Sequence, residues 1–227
     1  MRRFWRWLGT LMIVAGVGTL AWAGLVWQWQ DPATALMTAL EQRGLDAELD
    51  RSFAAAGAQQ VAIKPEDIAT HAQQLKQGAK PGQAVGRLQI PRLGLDMAFV
   101  YGTDTESLKK GPGLDQRTFF PGMSKLVYIA GHRTTYGAPF SKIDHLRKGD
   151  EVTVKVPYGT FVYRVTGHRI VTANDLSVLN TKNFEQLALQ ACHPRFFATH
   201  RWITYGVLAR ASTPDGTEVP AASAAGP

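Results

Sequence analysis

From about residue 84 onward the chain consists of short stretches rich in β-branched and aromatic residues, and this pattern constrains the fold most. In one stretch Val152, Val154 and Val156 alternate with polar residues, which is the period of a strand with one buried face. Roughly 130 residues of such strands suffice for one closed all-β core. We therefore predict an all-β domain with short helices over residues 84–212. The predicted strands are 88–90, 97–101, 126–130, 152–156, 161–171, 187–192 and 202–208.

The N-terminus is predicted to be a membrane anchor over residues 1–30. Arg2, Arg3 and Arg6 precede an uncharged run over residues 7–30, and about 20 apolar residues suffice to cross a bilayer as a helix. The next positive charge is Arg43, so the arginine bias puts the N-terminus in the cytoplasm and the remainder outside. A cleaved signal peptide is the alternative, because residues 21–23 (AWA) resemble a cleavage site. We favour a retained, single-pass anchor.

Residues 31–83 are predicted to be a helical spacer. Good helix formers fill residues 33–43 before Gly44, and a second helix is expected over residues 65–77. Because this segment holds few large apolar residues, we expect a loosely packed stalk. Residues 213–227 are rich in Pro, Ala, Gly and Ser, so we expect a disordered tail.

The formal charge of +7 and the pI of about 9.7 are typical of nucleic-acid binders. The positive residues are scattered, however, and outside the membrane such a partner is excluded in practice. A basic balance also suits an anionic cell surface.

Cys192 is the only cysteine in 227 residues, so an intramolecular disulfide cannot form. Most free cysteines are small buried hydrophobes, and the cysteine alone favours that interpretation. An unpaired thiol outside the cytoplasm risks oxidation, and the sequence contexts of His132 and Arg201 favour a functional role instead. Leu187 and Leu189 share one face of the predicted strand, and Cys192 lies on the other. Because Pro194 ends the strand, we expect the thiol at its open end, pointing away from the core.

His132 follows the predicted strand 126–130 and precedes a glycine-bearing loop. Histidine can exchange protons near neutral pH, as acyl transfer requires. A solvated loop histidine is the alternative, as it is for His71, His145 and His168. His193 neighbours the cysteine, but strand alternation sends it to the opposite side.

Arg201 opens the last apolar strand, nine residues after the cysteine. Its fixed cationic donors suit a developing oxyanion or a peptide carbonyl. The alternative is an ordinary surface arginine, and the nearest competitor for the role is Arg195.

Several short motifs occur along this part of the chain, in this order: residues 90–96 (IPRLGLD), 111–113 (GPG), 121–122 (PG), 130–135 (AGHRTT) and 192–194 (CHP). With them the chain resembles the sortases, membrane-anchored cysteine transpeptidases of bacterial surfaces, and class E above all, over about residues 86–210. The family's histidine, cysteine and arginine match His132, Cys192 and Arg201 in order. Sortases usually carry threonines where this chain has Ala188 and Ala191.

The resemblance implies an eight-stranded closed barrel with these three catalytic residues at one end. It also implies cleavage of a Leu-Pro-x-Thr-Gly sorting signal, or Leu-Ala-x-Thr-Gly in class E, between Thr and Gly. Cys192 would attack the carbonyl, Arg201 would stabilise the oxyanion, and His132 would protonate the leaving amine. The expected partners are secreted proteins with sorting signals, a peptidoglycan precursor or other amine acceptor, and the membrane. No cofactor is expected; some sortases use calcium, but no carboxylate cluster indicates a site here.

Three alternatives stay open at this point. An L,D-transpeptidase or other cell-wall cysteine hydrolase typically has a Ser-His-Gly-Cys context, unlike residues 190–192 (QAC). A pilin-polymerising sortase tends to carry an aspartate-aromatic lid and a C-terminal membrane segment, and neither is evident. A membrane-tethered, non-catalytic binding module is favoured only by the missing threonines.

Overall fold

The structure is a computed structural model that describes residues 2–29, 32–58 and 63–219. The α-helices are α1 (Arg2–Trp29), α2 (Pro32–Ala58), α3 (Ile68–Gly78) and α4 (Thr105–Lys110). The strands are β1 (Ala84–Ile90), β2 (Leu95–Tyr101), β3 (Gly113–Leu114), β4 (Leu126–Ala130), β5 (Glu151–Val156), β6 (Gly159–Thr172), β7 (Gln186–His193), β8 (His200–Ser212) and β9 (Glu218–Val219). Short 3₁₀ helices cover Pro65–Asp67, Pro91–Leu93, Ile143–His145 and Leu176–Leu179.

Eight strands form a closed barrel. Neighbouring strands follow the order β6-β5-β1-β2-β3-β4-β7-β8, and pairing of β6 with β8 closes the ring. The all-β prediction with eight barrel strands is confirmed. A ninth strand, the two-residue β9, pairs with β8, and neither it nor the equally short β3 is predicted by the sequence pattern.

Every second side chain of a barrel strand points inward and fills the interior, as the two-residue period of β5 predicts. Val152, Val154 and Val156 are buried in the main core, while the residues between them are partly exposed. A second, smaller core lies on the opposite face of β4, β7 and β8, where Tyr128 and Ala188 pack beneath the 3₁₀ helix Leu176–Leu179. This second core creates the outer face on which the site described below is built.

Helix α1 contains the span Arg2–Gly24, which has a mean hydropathy of 1.5. Among the described residues it is the one helix long and apolar enough to cross a membrane, by length and composition. This supports membrane anchoring.

The expectation of a loosely packed stalk over residues 31–83 was wrong for α2. The helix does not stop at Gly44 but continues to Ala58, and Leu45 and Leu49 are buried against β1 and β2. The side-chain amide of Gln42 accepts from the backbone N–H of Ala98 at 3.0 Å and donates to its carbonyl at 3.1 Å. Tertiary contacts of this kind outweigh the roughly 1 kcal/mol helix penalty of a glycine.

Helix α3 agrees with the predicted second helix, and it too packs on the barrel. Ile68 and Ala72 belong to the main core. Gly122, from the PG motif, lies against Ile68 with φ of +90°, and a Cβ there would collide with that side chain. Its N–H donates to the buried carboxylate of Glu185 at 2.9 Å. The PG motif is therefore explained by a tight turn whose backbone packs directly against the barrel.

The expectation of a disordered tail was wrong for its first part. Thr213 is buried, and β9 pairs with the end of β8 through Ala211–Val219 and Ser212–Glu218. A turn stabilised by the Asp215 carboxylate, which accepts from Thr213 and Thr217, makes this hairpin possible without apolar bulk. Residues 220–227 lie outside the described part.

Candidate active site

Cys192 lies near the end of β7, on the side of the strand that faces away from the main core. Leu187, Leu189 and Ala191 are buried in the barrel interior, whereas Ala188 belongs to the second core on the outer face. Cys192 follows the same alternation to the outer face and is partly exposed. The predicted direction of the thiol therefore agrees with the structure.

Arg201 lies directly opposite Cys192 in the antiparallel pairing of β7 with β8. Residues that face each other in this way carry their side chains on the same side of the sheet, with Cβ atoms about 5 Å apart. One terminal nitrogen of Arg201, Nη1, donates to the carbonyls of Ala198 at 2.7 Å and His200 at 3.0 Å. These bonds hold the guanidinium at the open end of the strand pair, beside the thiol.

His132 approaches from the other side of β7. Strands β4 and β7 run parallel, with Ala130 opposite Gln190 in the last register pair, and the N–H of Gly131 donates to the Gln190 carbonyl at 3.0 Å. His132 and Cys192 each lie two residues beyond that pair, so the two backbones are level. The spatial order β4-β7-β8 therefore sets the cysteine between the histidine and the arginine.

The ring of His132 is half-buried and held from one side. Its Nδ1 lies 3.4 Å from the Thr135 hydroxyl, and its ring centre is 5.0 Å from that of Tyr136. Among the described residues, none is hydrogen-bonded to the buried Nε2. Burial lowers the pKa of His132 below its ordinary value, so the imidazole is neutral at pH 7 and can accept a proton.

A cavity of about 210 Å³ extends over the outer face from Arg201. Its floor includes Tyr128, Ala130 and Gln190, and the 3₁₀ helix Leu176–Leu179 supplies an apolar wall. The lining is mixed, because Asp115, Arg117 and Asp175 also border the cavity, and of the three predicted site residues Arg201 is the one that lines it. Since Cys192 is the register partner of Arg201, a peptide held in this groove would end near the thiol.

The polar groups of this cavity are held in fixed states. The Tyr128 hydroxyl donates to the Gln190 side chain at 2.6 Å, and burial raises the pKa of Tyr128 well above its ordinary value, so the phenol stays protonated. Burial pushes the pKa of Asp115 upward, but hydrogen bonds from Arg117 outweigh it and leave that pKa below its ordinary value. Asp115 is therefore an ion-paired carboxylate at pH 7.

The sortase domain model matches residues 88–209 of this chain, which include all strands from β2 to β7 and the three residues above. The chain belongs to the sortase family. Curated relatives include Sortase D of Bacillus subtilis (strain 168), 33% identical over 129 residues, and Sortase SrtE1 of Streptomyces coelicolor, 29% identical over 147 residues. The matched regions are 55% and 57% of this chain, but only 64% and 41% of those two relatives.

Solved sortases share the barrel. Sortase E from Streptomyces avermitilis is 31% identical with a TM-score of 0.54, and the match covers 60% of this chain and 94% of that one. SrtA from Actinomyces oris is 28% identical with a TM-score of 0.55, over 60% and 85% of the two chains. The sortase barrel is therefore the part of this chain that its relatives have in common.

The two alanines that stand where sortases usually carry threonine are both fully buried, on opposite faces of β7. Ala191 faces the barrel interior, away from the cavity. Ala188 faces the other way and packs in the second core, beneath the cavity. A hydroxyl at Ala191 would therefore face the main core. The departure from the family pattern leaves the three site residues in register.

Arg133 was given no role by the sequence, but it links the two strand ends of the sortase site from behind. Its side chain is 3% exposed. Its Nη1 donates to the Cys192 carbonyl at 3.3 Å and lies 3.0 Å from Nδ1 of His193, while Nη2 pairs with Asp144 at 3.0 Å. His193 lies with Arg133 near Trp202, which agrees with the expectation that it is no partner for the thiol.

Arg195, the competitor for the role of Arg201, lies in the turn between β7 and β8. It is exposed, and its guanidinium carbon is 6.0 Å from the ring centre of Phe196. It does not line the cavity.

Proposed function

We propose that this protein is a membrane-anchored cysteine transpeptidase that cleaves a C-terminal sorting signal and joins the protein to an amine acceptor. One observation carries the proposal: Arg201 is the register partner of Cys192, and His132 lies level with Cys192 on the neighbouring parallel strand. Nucleophile, base and oxyanion donor on three adjacent strands are what thioacyl transfer requires.

In this mechanism one proton moves through His132. The neutral imidazole takes the thiol proton of Cys192 as the sulfur attacks the Thr–Gly carbonyl, and Arg201 stabilises the negative oxygen. The imidazolium then protonates the leaving glycine amine as the C–N bond breaks, which leaves a thioester. An incoming amine resolves the thioester, His132 removes its excess proton, and the cysteine departs as thiolate.

We further propose a substrate of the Leu-Pro-x-Thr-Gly or Leu-Ala-x-Thr-Gly type and a class E assignment. Similarity to SrtE1 of Streptomyces coelicolor and to sortase E of Streptomyces avermitilis supports this class. The cavity of about 210 Å³ with Arg201 at one end suits a short extended peptide whose scissile carbonyl reaches the thiol. The acceptor is an amino group of a cell-wall precursor or of another surface protein, and the barrel lies outside the cell.

The nucleophile assignment is tested with Cys192→Ala. The full chain in detergent should lose both peptide cleavage and amine transfer, because no other thiol exists to form the acyl-enzyme. Activity above about one per cent of wild type would overturn the assignment, since proton transfer alone contributes only about 100- to 10,000-fold.

A sorting peptide should also protect Cys192 from a maleimide, and mass spectrometry should detect a thioester on this residue. Product analysis with a library of sorting peptides and amines, with and without calcium, identifies the motif and the acceptor. If sorting peptides protect the thiol but yield neither a thioester nor products, the chain is instead a binding module, and if they do neither, the sorting-signal substrate is refuted.

A further inference from the structure

Helix α2 has a face that is fixed to the barrel. Thr38 is buried and donates through its hydroxyl to the Lys109 carbonyl at 3.0 Å. Gln42, Leu45 and Leu49 continue this face along the helix, at spacings of three and four residues. The rotation of α2 about its own axis is therefore determined by the barrel.

The opposite face of α2 is apolar only in its first turns. Leu36, Met37 and Leu40 are 64%, 59% and 56% exposed, and we call them the α2 apolar surface. Further along, the exposed positions are small or charged, among them Arg43, Gly44, Ala47, Asp50 and Arg51. Three large apolar side chains turned to water on one short arc need a partner.

The membrane helix limits what that partner can be. Leu36 lies only seven residues after Trp29, where α1 ends. Seven residues span at most about 25 Å when fully extended and about 10 Å as a helix. The α2 apolar surface is therefore held within reach of the headgroup layer of any bilayer that α1 crosses. An amphipathic helix in that position buries its apolar face at the boundary of headgroups and acyl chains.

We propose that the α2 apolar surface lies in the membrane, at the headgroup layer next to the exit of α1. The apolar character ends after Leu40, at the distance from the anchor where a helix leaving the surface would enter water. The occupant of this surface is lipid, and the barrel-facing side of the same helix turns the barrel to the bilayer in one orientation.

This contact also locates the loop that carries His132. The N–H of Tyr136 donates to the Thr34 hydroxyl at 2.9 Å, and Gly137 packs next to Thr38. One turn of α2 therefore has lipid on one side and the His132 loop on the other. That the active site faces the membrane rests on the proposed function, whereas the lipid contact does not.

The test uses the full chain with Cys192→Ala, in vesicles of phosphatidylcholine and phosphatidylglycerol. An environment-sensitive fluorophore is attached to Met37→Cys, Leu40→Cys or Ala47→Cys in turn. Ala47 is the matched control, because it lies seven residues beyond Leu40 on the same exposed face and about 10 Å further along the helix. Lipids with a quencher at a shallow acyl position should quench the probes at 37 and 40 at least about twofold more than the probe at 47.

Equal quenching at all three positions, or none, would overturn the proposal. A second copy of the chain could cover the surface instead of lipid. In that case the lipid quencher would have no effect, and the probe at position 37 would become more shielded from water as the protein-to-lipid ratio rises. That outcome also overturns it. No outcome of this measurement depends on catalysis.

A triple variant, Leu36→Ser with Met37→Ser and Leu40→Ser, provides the functional arm. Because these side chains face outward, we expect unchanged thermal stability and unchanged cleavage of a short soluble sorting peptide. Cleavage of a sorting signal followed by a transmembrane segment in the same vesicle should fall about 5- to 10-fold, as lost placement predicts. If the probes report lipid contact but this rate is unchanged, the lipid contact stands and its role in presenting the site is refuted.

Discussion

Two arginines follow Cys192 within nine residues, and their surroundings differ. Arg201 is paired with the cysteine across the strands and lines the cavity, whereas Arg195 is exposed in the turn. Arg201→Ala should lower kcat by about 100- to 1,000-fold, the usual loss of one oxyanion donor, and Arg195→Ala should change it little. Arg201→Lys should recover little activity, because lysine lacks the planar fork. Steady-state kinetics with a fluorogenic sorting peptide measure both, and greater damage from Arg195→Ala would refute the assignment.

Arg133 is expected to act as a positioning residue for the site. Its guanidinium joins the Cys192 carbonyl to Asp144 and adjoins His132 in sequence, so it fixes the distance between the ends of β4 and β7. Arg133→Lys keeps the charge but loses the fork. Since displacements of about 1 Å can cost about 100-fold in rate, we expect kcat to fall about 10- to 100-fold with little change in KM.

The control for this variant is Arg87→Lys on the far side of the barrel, where the arginine also joins two partners, the carboxylates of Asp46 and Asp96. It should leave kcat unchanged. A fall in thermal stability for Arg133→Lys with normal kcat would mean that Arg133 is structural only.

The three proposed site residues were singled out from the sequence by their strand positions, their side-chain chemistry and the sortase resemblance, and the structure brings their strand ends side by side. Arg133 could not be singled out in this way, since its importance arises only when pairing of β4 with β7 brings the Cys192 carbonyl, 59 residues away in sequence, within 3.3 Å. The same holds for the contact between Thr34 and Tyr136, which are 102 residues apart. The identity of a residue does not reveal which distant backbone group it will contact in the fold.

At the scale of elements, the helices before the barrel contribute to its stability. Leu45, Leu49 and Ile68 are almost fully buried against it, and burial of each large apolar side chain is worth about 1.5–3 kcal/mol. A chain limited to residues 84–212 should therefore lose several kcal/mol relative to one covering residues 32–219. At about 2–4 °C per kcal/mol for a chain of this size, we expect Tm to fall by more than about 10 °C.

Thermal unfolding of the two fragments measures this difference. A chain of residues 32–212, which lacks only β9, is the control and should lose far less. Equal Tm values for the 84–212 and 32–219 fragments would show that α2 and α3 are dispensable for stability. The domain boundary predicted from the sequence, at residue 84, would then be correct.

Elements with strong periodicity were predictable, and elements defined by their partners were not. The predicted strand 126–130 coincides with β4, and the other predicted strands lie inside the observed ones. Helix α2 was misjudged because the barrel surface it meets, including Ala84 and Ala98, is made of small residues that need few large side chains in return. Strand β9 is held by a turn and by two register pairs with β8, and a strand of two residues is too short to show a periodic pattern in the sequence.

For the whole molecule, the arginines before α1 predict that the barrel lies outside the cell. Because Cys192 is the only cysteine and is partly exposed, the protein carries its own topology probe. A membrane-impermeant maleimide should label wild type on intact cells, because the bias of Arg2, Arg3 and Arg6 keeps the N-terminus in the cytoplasm. The control is Phe4→Cys with Cys192→Ala, which keeps all three arginines and should be labelled only after the cells are permeabilised. Labelling of Cys192 only after permeabilisation would reverse the topology and remove secreted proteins from the set of substrates.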